Sequence, residues 1–281
     1  MREAEPFRVA TLNLLFDLTF WEERSHLVLA GFRQWRPHVI ALQEVSPQVD
    51  NAHWLAAQLG DYEVHVCPAL DHPSSDTLAL LVRLPAREHE TLTLGAEGRQ
   101  AQRITVEHGG TIWTVANTHL YWNPVRESVR VEQARALLRW LDGPGPVVLC
   151  GDFNARPHAR SQQVLSHRFL SAHRTLHGRD PDYTYPTPLR RGPGARHAAR
   201  AAFFRAGGWV RLQRDAPWRQ TVDHIFVDRA VDVRDCRVIF DLPAPHDPSL
   251  FASDHLGLLA ELVYQGLHTE TAATGREPRN E

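Results

Sequence analysis

Lysine is absent from this chain, and every one of its 31 basic side chains is arginine. Cysteine is scarce too. Cys67, Cys150 and Cys236 are odd in number and lack metal-ligand spacing, which argues against a structural zinc site. Cys150 lies inside an apolar run, where a small buried thiol is the natural reading. Histidine is plentiful, but the His-x-His clusters that a dinuclear zinc hydrolase wants do not occur, and His158, His173 and His246 have no zinc spacing. No stretch approaches the roughly eighteen unbroken apolar residues of a membrane span. The opening Met-Arg-Glu-Ala-Glu-Pro carries no apolar segment of the secretory kind, so the expectation is a cytoplasmic protein without membrane contact. The net charge of −2 offers no whole-molecule attraction for polyanions, and internal repeats are lacking.

What is present reads as one globular domain. A length of 281 residues with 43% hydrophobic and 23% charged side chains allows a substantial core. Residues 1–266 are expected to form a single domain, and 267–281 a disordered tail. Charge is uneven. From Arg174 to Arg219 there are ten arginines against Asp180, Asp182 and Asp215, a local balance of +7. Such a segment either attracts phosphate or is a solvated loop carrying the arginine bias of the whole chain.

Hydrophobic periodicity predicts strands at 7–13, 38–43, 62–67, 78–83, 87–94, 102–107, 111–118 and 221–228, with another in the run Leu256 to Leu262. Helices are expected near Glu22–Trp35, from Ser46-Pro47 to a stop at Gly60, over 125–141 and around 159–170. Val125, Val129, Ala136, Leu137 and Leu141 would give the third helix its apolar stripe. Gly109-Gly110 predicts a two-residue hairpin turn. Residues 178–220 are irregular, with a possible short helix at 195–205, and a loop of that length is usually functional or disordered.

The richest stretch is Val147-Val148-Leu149-Cys150-Gly151-Asp152-Phe153-Asn154. A buried strand ends in glycine and then delivers a carboxylate and a carboxamide two residues apart. In extended chain such side chains point the same way, so Asp152 and Asn154 are expected to face one site. One accepts a proton or binds a hard cation, and the other donates to an anionic oxygen, which is chemistry for a phosphoester. Four other segments repeat the design. One strand ends in Asn13, one in Gln43-Glu44 and one in Asn117-Thr118-His119, while Ser253-Asp254-His255 introduces an apolar run. A further strand carries Asp223-His224 near its start, with His224 expected on the opposite face in a structural role.

In that order these motifs resemble those of the endonuclease/exonuclease/phosphatase superfamily, over about residues 7 to 264. The resemblance implies an α/β four-layer sandwich of the DNase-I-like kind, two packed mixed β-sheets flanked by helices. The strand-rich halves with interspersed helices suggest the same. It also implies a Mg²⁺-dependent phosphoester hydrolase, with Mn²⁺ as a substitute. Mg²⁺ suits oxygen ligands and keeps several waters, so one or two protein carboxylates suffice. Glu44 is the first candidate ligand, Asn13 a ligand or its orienter, and Asp254 the candidate for a second metal position. Asp152 would position or deprotonate the attacking water, and Asn154 would hold a phosphoryl oxygen. His119 and His255 would bracket the phosphate, and Asp223 would accept the other ring N–H of His255. Local alternatives exist: Asn13 and Asn154 could serve turns, and Glu44 could cap the helix after it.

The stretch Asn117 to Pro124 is similar to the poly(A) deadenylases and their 2′,5′-oligoadenylate-cleaving relatives, as is Thr11 to Asp17. There, a proline five residues after the histidine and an aromatic five before the aspartate can sandwich a base. Here those positions hold Pro124 and Trp218, with Asn123 beside the proline. The plainer alternative makes Pro124 the first residue of a helix and Trp218 a packed loop aromatic. The leading expectation is therefore a 3′-exonuclease-type phosphodiesterase on RNA or an oligonucleotide. Its alternatives are hydrolysis of inositol, lipid or nucleotide phosphates, a DNA-repair nuclease, or a binding protein that kept the fold and lost catalysis. The last predicts an eroded motif, and all are intact.

Overall fold

The computed structural model describes residues 5–68, 77–95, 98–190, 219–264 and 266. The expected helix at 195–205, Trp218, most of the arginine-rich segment and the tail lie outside the described residues.

The chain first lays down β1 (Phe7–Asn13), α1 (Trp21–Trp35), β2 (Val39–Val45), α2 (Asn51–Leu59), β3 (Glu63–Val66) and β4 (Thr77–Val82). It continues through β5 (Ala86–Thr93), β6 (Gln100–His108), β7 (Thr111–His119), α3 (Glu127–Trp140), β8 (Val147–Asp152), α4 (Arg160–Ser166), β9 (Phe169–Ser171), α5 (Ala172–His177) and β10 (Asp223–Asp228). It returns with β11 (Val231–Ile239) and β12 (Gly257–Tyr264). Two six-stranded sheets result, in the orders β11-β12-β1-β2-β4-β3 and β5-β6-β7-β8-β10-β9. Each has one parallel pair at its centre, β1 with β2 and β7 with β8, joined through α1 and α3 respectively. The other pairings are antiparallel.

Period-two alternation explains the layers. Phe7 and Val9, Val39 and Ala41, Trp113 and Val115, Val148 and Cys150, and Ile225 and Val227 form one buried cluster between the sheets. The intervening Ala10, Leu12, Ile40 and Leu42 pack outward with Val28, Phe32 and Leu55 of α1 and α2. Ala116, Leu149 and Phe226 pack outward with Ala134, Leu137 and Leu165 of α3 and α4. The result is helix, sheet, sheet, helix. No helix among the described residues is long and apolar enough to cross a membrane.

Two glycine positions are required by the backbone. Gly109 and Gly110 both have positive φ (58° and 76°), the geometry of a tight hairpin whose twist matches its strands, and they join β6 to β7. At Gly151 φ is 137°, and an added Cβ would lie 2.0 Å from the Thr118 carbonyl oxygen. Glycine is what allows β7 and β8 to run side by side to the ends that carry His119 and Asp152.

Several expectations need correction. The second helix starts at Asn51, not at Ser46-Pro47, because Asp50 turns left-handed (φ 45°) and the Asn51 side chain accepts the Ser46 N–H at 3.1 Å. The third starts at Glu127. Val125 is therefore exposed in the preceding loop, and the buried stripe is Arg130, Val131, Ala134 and Leu137. Pro124 is accordingly not the first residue of that helix. The helix near 159–170 ends at Ser166, where Arg168 turns to donate to Leu141 O and Asp228, and Phe169 enters a short strand. The elements β9, α5 and β11 were not anticipated.

Candidate active site

The rule that fills the inter-sheet core also builds the site. Continuing each inward-facing row to the strand end gives Asn13 on β1, Gln43 on β2, Asn117 and His119 on β7, Asp152 on β8, and Asp223 at the start of antiparallel β10. Carboxyl ends of the parallel strands thus meet at one edge of the sandwich, the usual position for a site in an open α/β sheet. Core turns to polar cleft within two residues along each strand.

The polar row is held by a bridge between sheets. Gln43 Nε2 donates to Asn117 Oδ1 at 2.7 Å, and Asn117 Nδ2 donates to Leu42 O and Ala79 O at 2.9 and 3.1 Å. Strict alternation would send Glu44 outward. Instead its φ is 54° and the β2–β4 register shifts between Leu42 and Val45, so its carboxylate swings to the cleft. There Glu44 Oε2 accepts the Phe16 N–H at 2.7 Å, and Oε1 accepts from Asn13 Nδ2 at 3.2 Å. Glu44 is therefore not the cap of the following helix.

Asn13 makes both its local and its site contacts. Its Oδ1 accepts the Leu15 N–H at 3.0 Å, closing a turn, while Nδ2 donates to Asp152 Oδ2 at 3.1 Å as well as to Glu44. Asp152 is 1% exposed, and its Oδ1 accepts the Asn154 N–H at 2.8 Å. Its Oδ2 lies 3.4 Å from His119 Nε2 and 3.9 Å from His255 Nε2. Burial pushes the Asp152 carboxyl up, but the two imidazoles, the Asn154 N–H and the Asn13 carboxamide outweigh it and hold it below the ordinary carboxylate range.

The two histidines differ in the hydrogen bond made at Nδ1. Arg99 Nη1 lies 2.9 Å from His119 Nδ1, and a guanidinium can only donate. Nδ1 is thus the acceptor, and the ring hydrogen sits on Nε2, facing Asp152. His255 is the reverse case, with Nδ1 2.9 Å from Asp223 Oδ2. Burial disfavours the imidazolium, but Asp223 outweighs it and raises the His255 pKa. Burial likewise raises Asp223, with His255 pulling back. Together Asp152, Asp223 and His255 bring ligand atoms within 4.8 Å of one another.

Asn154 departs from expectation. The chain leaves the strand at Asp152, Asn154 turns left-handed (φ 48°), and its Nδ2 donates to Leu120 O at 3.1 Å. It meets Asp152 through its backbone N–H in a turn rather than by strand alternation. Asp254 stands outside the Asp152–Asp223–His255 group; its carbonyl accepts the Thr187 N–H at 2.8 Å. His224 does face away, stacking on Phe226 at 5.2 Å, with burial lowering its pKa to about 4. Asn123 and Pro124 form a half-exposed rim loop whose carbonyls are gripped by buried Arg130, at 2.7 Å for Asn123 O and 3.4 Å for Pro124 O.

Sequence reasoning missed the residues that act through the backbone. Arg24 is fully buried and donates to the carbonyls of Leu14, Asp17, Thr19 and Ala252 at 2.8–3.1 Å, stapling the loop that supplies Phe16 N–H to the segment before Asp254. Thr184 Oγ1 accepts the N–H groups of Val222 and Asp223 at 3.0 and 3.1 Å. The Tyr185 ring lies 4.7 Å from that of His255. One signal was available: Arg24 and Arg130 occupy apolar-stripe positions of their helices, in line with Val28 and Phe32 and with Ala134 and Leu137.

The sequence matches the profile of the Endonuclease/Exonuclease/phosphatase family over residues 10–255. The chain belongs to the endonuclease/exonuclease/phosphatase family. Each activity in that name is hydrolysis of a phosphoester, so membership places the chain among phosphoester hydrolases. Nocturnin of Drosophila melanogaster is 31% identical over 161 residues, 49% of this chain and 24% of the fly protein. Nocturnin of Homo sapiens is 27% identical over 172 residues, 52% of this chain and 38% of the human protein. The matched part thus spans well under half of these curated relatives. Among solved structures, D. rerio TDP2 complexed with a single-strand DNA product superposes with a TM-score of 0.72 at 17% identity, covering 92% of this chain and 98% of that one. The human Nocturnin catalytic domain with a bound sulfate anion gives 0.70 at 24% identity, covering 92% and 94%. The four-layer fold of this endonuclease/exonuclease/phosphatase chain is that of these structures.

Proposed function

We propose that the protein is a Mg²⁺-dependent phosphodiesterase acting on RNA or oligonucleotides, with 3′-exonuclease-type cleavage. The observation that carries this reading is the meeting of Asn13 and Glu44 from one sheet with His119, Asp152 and Asp223 from the other.

The donor set fits a hard cation. A single Asn13 amide group is shared by the carboxylates of Glu44 and Asp152, so two anionic oxygens lie close together, one on buried Asp152 and one on half-buried Glu44. Oxygen ligands of this kind suit Mg²⁺, with Mn²⁺ as a substitute. Glu44 would hold the ion, Asn13 would orient the carboxylates, and Asp254 remains the candidate for a second position. His255 is a poor ligand because its bond to Asp223 keeps it protonated. When bound, the cation supplies charge neutralisation at the phosphoryl oxygens.

The chain's own groups supply the rest. Asp152, held below the ordinary carboxylate range, accepts hydrogen bonds from an attacking water and aligns it. His119 Nε2–H and the His255 imidazolium donate to the phosphoryl group, where negative charge develops. Asp223 fixes the His255 ring and keeps it charged. Asn154, one of whose amide hydrogens is held by Leu120 O, would donate the other to a phosphoryl oxygen. That human Nocturnin binds sulfate supports a tetrahedral-oxyanion site, and the single-strand DNA product of TDP2 supports a nucleic-acid substrate. Pro124 with Asn123 on the rim, and Trp218, are the proposed base-stacking wall.

The test is digestion of end-labelled poly(A) RNA, poly(U) RNA and single-stranded DNA with Mg²⁺, Mn²⁺ or EDTA. The expected result is a one-nucleotide ladder on RNA, abolished by EDTA. Cleavage of none of the polymers would overturn the reading and direct attention to small phosphoesters.

A further inference from the structure

Beside the cleft, on the side of β8 and β10, lies a second cavity of about 610 Å³ that catalysis as described does not use. It is built where the loop after Asp152 meets residues 178–182 and 219–221. Arg156, Arg174, Arg179 and Arg219 line it, together with Asp180 and Asp182. The acids do not neutralise all four guanidinium groups. Arg174 Nε donates to Asp180 at 2.9 Å and Arg179 Nη1 to Asp182 at 2.6 Å, which satisfies both carboxylates. The other two arginines have neutral partners. Arg156 Nε donates to Gln220 Oε1 at 3.1 Å, and Arg219 lies over the Tyr183 ring at 4.3 Å. Both are exposed, so two solvated positive charges flank one residue, Gln220.

Gln220 also connects this cavity to the cleft. Its N–H donates to Tyr185 O at 2.7 Å and its carbonyl accepts from Tyr185 N at 3.0 Å, while the Tyr185 ring lies against His255. Arg156 follows Asn154 by two residues, and Gln220 precedes Asp223 by three. The paired Tyr185–Gln220 backbone therefore links the two compartments, with the Tyr185 ring against His255 and the Gln220 side chain bonded to Arg156. A single phosphate in the cleft has no need of the second compartment. A strand whose next phosphates reach past that pair does.

We infer that the Arg156–Arg219 cavity is a second phosphate subsite, which holds the phosphodiester backbone of a single-stranded oligonucleotide while its scissile phosphate occupies the Asp152–His255 cleft. This rests on the nucleic-acid reading above. Phosphate contacts of this kind position a strand without reading its sequence, and each releases a counterion, so their signature is salt dependence.

The experiment compares the wild type with Arg156→Gln, Arg219→Gln and the double variant. KM for a homopolymer strand is measured over a salt series, beside kcat/KM for bis(p-nitrophenyl) phosphate, a phosphodiester too small to reach the cavity. The expected double-variant result is a KM for the strand raised about tenfold, and a log–log salt slope reduced by about one per arginine. Turnover of the small ester should stay within about twofold, which also shows that the variant is folded. An unchanged strand KM and slope would overturn the subsite, as would equal losses on both substrates. Anisotropy of a labelled strand in EDTA separates this from the catalytic proposal. If the wild type binds the strand and the double variant does not, the subsite stands even where no polymer is cleaved. If the wild type binds no strand, the subsite falls even if small esters are hydrolysed.

Discussion

At the scale of single residues, the cleft divides into groups that would touch substrate and groups that hold them. Asp223 belongs to the second kind, since its 2.9 Å bond to His255 Nδ1 is what fixes the ring and its charge. Asp223→Asn should therefore cut kcat by about 10²–10⁴, with a smaller effect on KM. Steady-state kinetics on a small phosphodiester checks this, and a variant within about twofold of wild type would remove Asp223 from the assignment. Glu44→Gln should raise the Mg²⁺ concentration for half-maximal rate at least about tenfold while circular dichroism is unchanged. Trp218→Ala should raise KM for poly(A) more than for poly(U), and equal effects would end the stacking idea. The acidic, amide and histidine side chains of the cleft were legible because each stands at an end of a recognisable strand or within two residues of one. Arg99, Thr184 and Tyr185 were not. An arginine that sets a tautomer, or a threonine that accepts two backbone N–H groups, has no spacing of its own.

At the scale of elements, alternation was the most reliable guide. It turned His224 away from Asp223, as found, and Asn13, Asp152 and Asp223 continue the inward-facing rows of their strands. It failed where the backbone breaks period. The bulge between Val233 and Asp235 splits the apolar pattern of β11, so a nine-residue strand went unanticipated. The left-handed turns at Glu44 and Asn154 similarly redirect side chains that simple alternation would misplace. Gly151 is where element geometry is least forgiving. Gly151→Ala would drive a Cβ into the Thr118 carbonyl and force β7 from β8, costing on the order of 3 kcal/mol. Arg24→Met would leave four loop carbonyls without their buried donor, a loss of about 3–5 kcal/mol. Urea unfolding midpoints test both; a midpoint equal to wild type in either case would contradict the packing described.

At the scale of the molecule, the far end of the sandwich contributes an acid-sensitive element. His38 is buried and stacked on Phe7, its Nδ1 accepts the Arg8 N–H at 3.0 Å, and the His108 ring lies tilted against it at 4.4 Å. Burial, with His108, Arg83 and Arg8 nearby, lowers its pKa from 6.5 to about 3. The unfolded chain therefore binds this proton first, and stability is lost as pH falls from about 6.5 towards 3, with a slope of up to about 1.4 kcal/mol per unit. His38→Gln, which keeps an acceptor for Arg8, should flatten that slope by about one proton in urea titrations, and an unchanged slope would refute it. The order of the strands has a separate consequence. The chain builds β1 to β4, then the whole second sheet, and only afterwards adds β11 and β12 to the first, where Leu262 pairs with Phe7. A chain emerging from the ribosome has thus made most of its core before His255 exists. Such an intermediate exposes an unpaired β1 edge and holds Asp223 without its partner. The final strand thus completes the first sheet and brings His255 to Asp223 in one event.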